Sequence, residues 1–268
     1  MPVTMPPAMI LCGGQGTRLR SVSEVLPKPM VEIGSQPMIW HILKIFSAYG
    51  VDRFILCLGY KREVFLDYFL NYRARSSDVT VRLGREPHTI FHECNEAMED
   101  WSVTLANTGD ATMTGGRVVL GQRHLRADDG EFFLTYGDGV ADVDVARLLA
   151  FHRRQGKAAT VSAVHPAGRF GDIEIEQDTA VGFHEKRQTA SGWINGGFMV
   201  LTRRFVEKYL SGDPAEVLEQ EPMRRAAHDG EIAAYKHDGF WQCMDTPREH
   251  QLLNELWQSG SAPWTEAW

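Results

Sequence analysis

The hydrophobic positions of this chain fall into short apolar runs that alternate with segments in which apolar residues recur three or four positions apart. Short apolar runs are typical of buried strands, and the wider spacing is typical of amphipathic helices. The runs predict strands at residues 9–12, 54–58, 79–83, 103–106, 131–136 and 159–164. The helical spacing predicts helices at residues 38–49, 62–72, 145–154 and 247–257.

The order of these elements indicates the fold class. Strands that alternate with amphipathic helices form a mostly parallel sheet covered by helices on both faces, so we expect an α/β fold. After Arg169 the pattern changes to short alternating segments, which predict antiparallel strands and loops over the functional edge of the sheet. These segments are residues 172–176, 181–184, 198–201 and 232–235. The chain shows no internal repeat and no linker, which favours a single domain over residues 1–268.

A glycine-rich segment, Leu11-Cys12-Gly13-Gly14-Gln15-Gly16-Thr17-Arg18-Leu19, follows the first predicted strand. Closely spaced glycines let the backbone approach a ligand and point N–H groups at phosphate oxygens, and Arg18 adds a guanidinium suited to phosphate. A P-loop requires Gly-Lys-Ser/Thr and a dinucleotide fingerprint requires glycine at Leu19, and neither is present. We therefore predict a phosphate site of another kind; the alternative is a tight strand-to-helix turn with an incidental arginine.

A single lysine lies between two prolines in Pro27-Lys28-Pro29-Met30. The prolines restrict the backbone, so the ammonium of Lys28 is presented from a stiff segment. On its own, such a lysine is most often a solvated loop charge. Beside a phosphate-binding loop, a mobile point charge suits the neutralisation of a triphosphate, which is the role that we predict for it.

Two aspartates are candidate ligands of Mg²⁺. Asp138 lies between glycines directly after a predicted strand, and Asp245 precedes Thr246-Pro247. The glycine-rich turns after Cys12 and Tyr136 both fall at carboxyl ends of strands, where open α/β sheets bind ligands. Mg²⁺ takes one or two carboxylates together with phosphate oxygens. The alternatives are an Asx-type turn at Asp138 and a helix N-cap at Asp245.

The composition restricts the partners. The chain has 268 residues with 28 Lys and Arg against 35 Asp and Glu, a net charge of −7, so neither nucleic acid nor an anionic membrane is an expected partner. It has no apolar run of about 20 residues and no recognisable signal peptide, so we expect a cytoplasmic protein. The four cysteines lack metal or disulfide spacing, and we expect Cys12 and Cys57 to be buried.

The motifs resemble those of the sugar-1-phosphate nucleotidylyltransferases. The glycine-rich loop and Pro27-Lys28-Pro29-Met30 match the signature that these enzymes share. Further segments are similar to the glucose-1-phosphate cytidylyltransferase branch, above all Met113-Thr114-Gly115-Gly116-Arg117 and Glu219-Gln220-Glu221-Pro222. The similar segments run in order from about residue 9 to residue 264. They also include Tyr136-Gly137-Asp138-Gly139, Asn195-Gly196-Gly197-Phe198 and Gly239-Phe240-Trp241-Gln242.

The resemblance implies a Rossmann-like enzyme that transfers a cytidylyl group from CTP to α-D-glucose 1-phosphate with Mg²⁺, within deoxysugar biosynthesis, and that forms homo-oligomers, often hexamers. It implies that residues 9–165 bind the nucleotide and that residues 166–268 form the sugar-phosphate-binding and C-terminal part. By resemblance, catalysis falls to Arg18, Lys28, Asp138 and Asp245, the two aspartates holding the metal. The implied nucleotide-binding residues are Leu11, Cys12, Gly13, Gly14, Gln15, Gly16, Thr17, Thr114, Arg117 and Gly137. The implied sugar-phosphate-binding residues are Gly171, Glu185, Lys186, Asn195, Gly196, Gly197 and Trp241.

Several alternatives stay open at this point. The base could be that of dTTP or UTP, and the sugar could be another hexose, because base selection depends on a few hydrogen bonds that sequence position does not reveal. Leu26 and Arg187 depart from the pattern of the branch, and these departures leave the sugar less specified than the base. A catalytically silent sugar-nucleotide sensor would have lost Arg18, Lys28 or an aspartate. An NAD-type dehydrogenase lacks support because its fingerprint is absent.

Overall fold

A computed structural model of the chain describes residues 5–14, 26–92, 99–166, 172–176, 179–184 and 192–268. The strands in these residues are β1 (Ala8–Cys12), β2 (Glu32–Ile33), β3 (Gln36–Pro37), β4 (Arg53–Leu58), β5 (Val79–Arg82), β6 (His88–Phe91), β7 (Ser102–Asn107), β8 (Glu131–Tyr136), β9 (Gly139–Ala141), β10 (Ala159–Val164), β11 (Asp172–Glu176), β12 (Thr179–His184), β13 (Ile194–Thr202), β14 (Ile232–His237) and β15 (Trp241–Cys243). The helices are α1 (Met38–Ser47), α2 (Arg62–Leu70), α3 (Tyr72–Ser76), α4 (Thr114–Gly121), α5 (Val145–Gln155), α6 (Arg203–Tyr209), α7 (Glu221–His228) and α8 (Pro247–Gln258). Among the residues described, no helix is both long and apolar enough to span a bilayer.

Seven strands form one central sheet in the order β14-β10-β13-β8-β1-β4-β7. β1 pairs in parallel with β4 and β8, β4 with β7, and β10 with β14. β13 runs antiparallel to both of its neighbours, β8 and β10. The predicted α/β class and mostly parallel sheet are therefore confirmed.

The burial of β1 explains why its sequence is continuously apolar. Ile10 packs with Phe46 of α1 and Phe65 of α2 on one face of the sheet. Its neighbour Met9 packs on the opposite face with residues of α4 and α6, such as Val118. Because successive side chains of a strand point to opposite faces, a strand between two helical layers needs apolar residues at every position. The prediction of helices on both faces is confirmed.

Two predictions for the later part of the chain are wrong. Residues 198–201 and 232–235 were expected in an antiparallel extension, but they belong to β13 and β14 of the central sheet. In β13 the six residues Gly196–Leu201 are all buried, so this segment is an interior strand between two layers and not a half-exposed one. β14 alternates in burial because it is an edge strand of that sheet. The expected antiparallel pairing does occur between β11 and β12, and β5 pairs with β6 in a separate two-stranded sheet.

Helix α4 was not predicted, because three of its eight residues are glycines, which disfavour helices. Tight packing explains two of them. A Cβ on Gly115 would lie 2.9 Å from the carbonyl oxygen of Glu216, and a Cβ on Gly116 would lie 3.0 Å from the Cα of Pro214. The segment that precedes α7 therefore lies directly against the helix, and the glycines allow this close approach.

A buried histidine connects α1 to the C-terminal 3₁₀ turn Pro263–Thr265. The ring of His41 is fully buried, with Nε2 at 3.0 Å from the carbonyl oxygen of Ile33 and Nδ1 at 3.3 Å from Nε1 of Trp264. A carbonyl only accepts and an indole N–H only donates, so these two partners fix the neutral ring with its proton on Nε2. Burial lowers the pKa of His41 to about 4, although its backbone hydrogen bonds act in the opposite direction. Protonation at Nδ1 would place the new N–H of His41 against the indole N–H of Trp264, so that two donors would face each other.

We expect the stability of the fold to decrease as the pH falls from 7 to 5. In this range the unfolded chain binds a proton at His41, with a pKa near 6.5, and the folded chain does not, so acid favours unfolding. The loss amounts to about 2 kcal/mol for this group. Urea unfolding at both pH values measures it. In His41→Gln the decrease should be smaller by this amount, whereas in the exposed control His228→Gln it should equal that of the unmodified protein. Equal decreases in both variants would contradict the assignment.

Candidate active site

A cavity of about 620 Å³ opens at the carboxyl ends of β1 and β8, the edge of the sheet where the glycine-rich turns were expected to meet. Its walls come from five parts of the chain: the end of β1, the proline-flanked turn, the start of α4 with the loop before it, the turn after β8, and the segment between β15 and α8. The lining residues are Leu11, Cys12, Gly13, Gly14, Lys28, Pro29, Asp110, Ala111, Thr112, Met113, Thr114, Arg117, Tyr136, Gly137, Asp138 and Asp245.

Lys28 lies between two carboxylates at this cavity. Its Nζ is 3.1 Å from Oδ2 of Asp138 and also donates a hydrogen bond to Oδ1 of Asp245. Only 10% of its side chain is exposed, so Lys28 is not a solvated loop charge. Burial lowers the pKa of Lys28, but the charges of the two aspartates and their hydrogen bonds outweigh burial, so that its pKa is raised overall. The ammonium therefore remains protonated at neutral pH.

Local structure brings Lys28 to this position. Pro27 has a φ of −65°, and Lys28, Pro29 and Met30 form a 3₁₀ turn that is buried throughout. The N–H of Met30 donates to the carbonyl oxygen of Pro27 at 2.8 Å. The stiff turn expected from the two prolines is therefore present, and it presents the ammonium to the cavity.

The two aspartates meet because β9 pairs with β15. This antiparallel pair places Gly139 opposite Cys243, and the N–H of Met244 donates to the carbonyl oxygen of Asp138 at 2.8 Å. The N-cap of α8 is Thr246, whose hydroxyl accepts from the N–H of Glu249 in a capping box. The alternative interpretation of Asp245 as the helix cap is therefore wrong, and its carboxylate lines the cavity instead.

The buried guanidinium of Arg117 connects β4, the glycine-rich loop and α4. Nη1 donates to the hydroxyl of Thr108 at 2.6 Å and to the carbonyl oxygen of Leu58 at 3.2 Å. Nη2 donates to the carbonyl oxygens of Gly13 at 3.1 Å and Asp110 at 3.4 Å. Burial lowers the pKa of Arg117, although an arginine keeps its proton in a protein. Arg117 lines the cavity, but its hydrogen bonds hold the loop in position around it.

Glycine is required at two cavity positions for steric reasons. A Cβ on Gly13 would lie 1.9 Å from Cζ of Arg117, inside the guanidinium itself. A Cβ on Gly137 would lie 2.7 Å from Cγ of Pro29. Gly13 therefore makes room for an arginine, in addition to any contact with a ligand, and Gly137 lets the proline-flanked turn pack against the end of β8.

A second group of polar side chains extends from the start of α4 to β13. The carboxylate of Glu219 accepts from the hydroxyl of Thr114 at 2.6 Å and from the hydroxyl of Tyr136. Nδ2 of Asn195 lies 3.4 Å from the same tyrosine oxygen. Burial and the charge of Glu219 raise the pKa of Tyr136. The sequence motif that contains Glu219 suggested a branch of the family but no role for this residue, because its partners are 83 and 105 positions away.

The remaining predicted sugar-side residues that the structure describes do not line this cavity, although one of them, Gly197, adjoins a lining residue. Nε1 of Trp241 donates to the carbonyl oxygen of Gly196 at 2.7 Å, which joins β15 to β13. Gly197 has a φ of +81° and its Cα faces the ring of Tyr136, a lining residue. Seven of the predicted site residues lie outside the residues that the structure describes: Gln15, Gly16, Thr17, Arg18, Gly171, Glu185 and Lys186.

The carboxylate pair fits a divalent cation. Asp138 and Asp245 converge on a single positive group, the ammonium of Lys28, and carboxylate oxygens are the ligands that Mg²⁺ prefers. No group of three or more metal-ligating His, Cys, Asp or Glu side chains occurs within the described ranges. Two carboxylates suffice for Mg²⁺ when phosphate oxygens complete its coordination.

Comparison with known proteins agrees with this site. The family model described as nucleotidyl transferase matches residues 7–246. The chain belongs to the nucleotidyl transferase family. It is 45% identical over 257 residues to the glucose-1-phosphate cytidylyltransferase of Salmonella typhi, covering 96% of this chain and 98% of that protein. It is 39% identical to a probable glucose-1-phosphate cytidylyltransferase of Bacillus subtilis, with the same coverage. The resemblance stated from the motifs is thus confirmed.

The fold of this nucleotidyl transferase is shared with more distant proteins of known structure. The crystal structure of HddC from Yersinia pseudotuberculosis superposes with a TM-score of 0.66 at 22% identity, covering 94% of this chain and all of that chain. At this level of identity the similarity concerns the fold alone.

We expect Arg117→Met to destabilise the protein by about 3 kcal/mol, because the carbonyl oxygen of Gly13 and the buried hydroxyl of Thr108 lose their hydrogen bonds from the guanidinium. Urea unfolding followed by far-ultraviolet circular dichroism measures the change. Arg123→Met, an exposed arginine just after the same helix, serves as the control and should cost less than about 0.5 kcal/mol. A cost below about 1 kcal/mol for Arg117→Met would contradict the conclusion that its hydrogen bonds hold the glycine-rich loop in position.

Proposed function

We propose that this protein transfers the cytidylyl group of CTP to α-D-glucose 1-phosphate, giving CDP-glucose and pyrophosphate. The observation that supports this proposal most directly is the charged cluster in which Lys28, Asp138 and Asp245 meet at a cavity beside the glycine-rich loop. That cluster suits phosphoryl chemistry on a nucleotide. The choice of CTP and glucose rests on the 45% identity to a glucose-1-phosphate cytidylyltransferase over nearly the whole chain.

The reaction is an in-line displacement. A phosphate oxygen of the sugar 1-phosphate forms a bond to the α-phosphorus of CTP, and the bond from that phosphorus to the bridging oxygen of pyrophosphate breaks. The attacking oxygen is already anionic at neutral pH, so the reaction needs no general base. The protein has to bring two mutually repelling anions together and to stabilise the charge on the phosphates.

The residues of the cavity suit these tasks. The cation of Lys28 is held within the cavity wall, and it can neutralise phosphate oxygens at little cost in side-chain ordering because the two aspartates already hold its ammonium. We infer that Asp138 and Asp245 hold Mg²⁺, which when bound supplies further neutralisation of the nucleotide phosphates. We also infer that Arg18 neutralises the leaving pyrophosphate and that Lys186 steadies the incoming sugar phosphate.

Pyrophosphate release with four nucleoside triphosphates and a panel of sugar 1-phosphates tests the proposal. With Mg²⁺ present, we expect CTP and glucose 1-phosphate to give the highest kcat/KM, because relatives that are 45% identical to this chain are glucose-1-phosphate cytidylyltransferases. A clear preference for dTTP or UTP would reassign the base. An absence of turnover with every pair would reject the enzymatic function.

The metal role of Asp138 is tested by Asp138→Asn. The amide keeps the shape of the side chain but removes a charge, so turnover should fall by at least about 100-fold. The Mg²⁺ concentration that gives half-maximal rate should rise, while the urea unfolding midpoint should change little. Asp128→Asn, an exposed aspartate before the same strand β8, is the matched control and should behave like the unmodified enzyme. Near-normal activity of Asp138→Asn would remove this residue from the metal site.

We further infer that the protein forms homo-oligomers; the hexamer is the form that the family resemblance implies. The β5–β6 pair supports this inference, because Val81, Leu83 and Ile90 expose 56%, 88% and 47% of their surface there. Light scattering measures the mass, and a monomer at every concentration would contradict the inference. A cytoplasmic location and a role in deoxysugar biosynthesis stay predictions.

A further inference from the structure

The carboxylate of Glu219 fixes the direction of two hydrogen bonds at the cavity wall. Both of its partners, Thr114 and Tyr136, line the cavity. An ionised carboxylate can only accept, so each hydroxyl must direct its single proton at Glu219. The two hydroxyl groups therefore have no proton left for a ligand.

The hydroxyl of Thr114 has one hydrogen-bonding position left. Its oxygen also accepts from the N–H of Leu218 at 2.9 Å. A hydroxyl has one donor and two acceptor positions, so the proton and one lone pair are used within the protein. A ligand that meets this hydroxyl therefore finds an acceptor, and must itself donate.

The backbone around Glu219 is held independently of its side chain. The carbonyl oxygens of Pro214 and Glu216 accept from the N–H groups of Met113 and Gly115 at 2.7 and 2.9 Å, and Leu218 is fully buried. The Glu219 side chain is exposed to solvent apart from its two hydroxyl partners. Its removal should therefore leave the fold and the position of Thr114 in place.

We propose that Glu219 determines the specificity for the base by holding the Thr114 hydroxyl as an acceptor. This inference rests on the proposed function, in which the cavity binds a pyrimidine nucleotide, and it assigns position 4 of the base to the Thr114 hydroxyl. Cytosine presents a 4-amino group, which donates, whereas uracil and thymine present a 4-keto oxygen, which accepts. A hydroxyl that is held as an acceptor therefore favours the amino group of cytosine. Against the keto oxygen of uracil or thymine it leaves two acceptors facing each other without a proton between them. When Glu219 is absent, the hydroxyl turns to suit either base.

The test compares kcat/KM for CTP and for UTP with glucose 1-phosphate. In Glu219→Ala we expect the ratio of CTP to UTP to fall about tenfold, the effect of one hydrogen bond between a neutral hydroxyl and the base. The matched control is Glu221→Ala, two residues away, whose carboxylate pairs with Arg224 at 3.1 Å and not with a cavity residue. It should keep the ratio of the unmodified protein.

Variants of Thr114 test whether Glu219 acts through this hydroxyl. Thr114→Val, which lacks the hydroxyl, should lower the ratio as Glu219→Ala does, and the double variant should show no further decrease. Thr114→Ser, which retains it, should keep the ratio. If Glu219→Ala lowers kcat/KM for CTP and UTP by the same factor, Glu219 has a structural role only and the inference is overturned. If the unmodified protein shows no preference for CTP, the proposed function fails instead, before any variant is measured.

Discussion

The pairing of one buried cation with two carboxylates is the interaction on which this site depends. Lys28 and Asp138 are separated by 110 positions in the chain, and Lys28 and Asp245 by 217. Either aspartate alone near a partly buried lysine would give an ordinary ion pair. With both aspartates present, the negative charge exceeds that of the single ammonium. The two neighbouring carboxylates can both stay ionised only because a cation lies between them. The β9–β15 pair and the capped start of α8 are the structures that bring this arrangement about.

The hydrogen bonds of Arg117, at the same cavity, have a different role. The hydrogen bonds of Arg117 end on backbone carbonyl oxygens and on a buried threonine, so they stabilise the shape of the cavity wall. Its partners lie just beyond the ends of β1 and β7 and at the end of β4, where the backbone leaves the sheet. The carbonyl oxygen of Leu58 also accepts from the N–H and the hydroxyl of Thr108. The arginine thus supplies a donor to the carbonyl oxygen of Gly13, which lies beyond the end of β1. A lysine could not make the whole set of hydrogen bonds, because it lacks the planar fork.

Sequence patterns predicted the parts of this structure that local physics determines. β1, β4 and β8 are apolar at nearly every position because both of their faces are buried, and this composition is visible in the sequence. The place of β13 was missed because the choice of sheet depends on pairing with β8 and β10, which no local pattern encodes. The same limit applies to the site. Local motifs predicted roles for Lys28 and the two aspartates. The contact of Glu219 with Thr114 could not be predicted in this way, because the fold brings together residues that are 105 positions apart.

The position of β13 has a consequence for how the protein is made. This strand lies in the interior of the sheet, between β8 and β10, yet it follows both of them in the chain. Until residues 194–202 leave the ribosome, β8 and β10 each lack a neighbour and the sheet stays divided. Asp245 emerges later still. A nascent chain therefore carries the glycine-rich loop and Lys28 long before both carboxylate partners of that lysine are present.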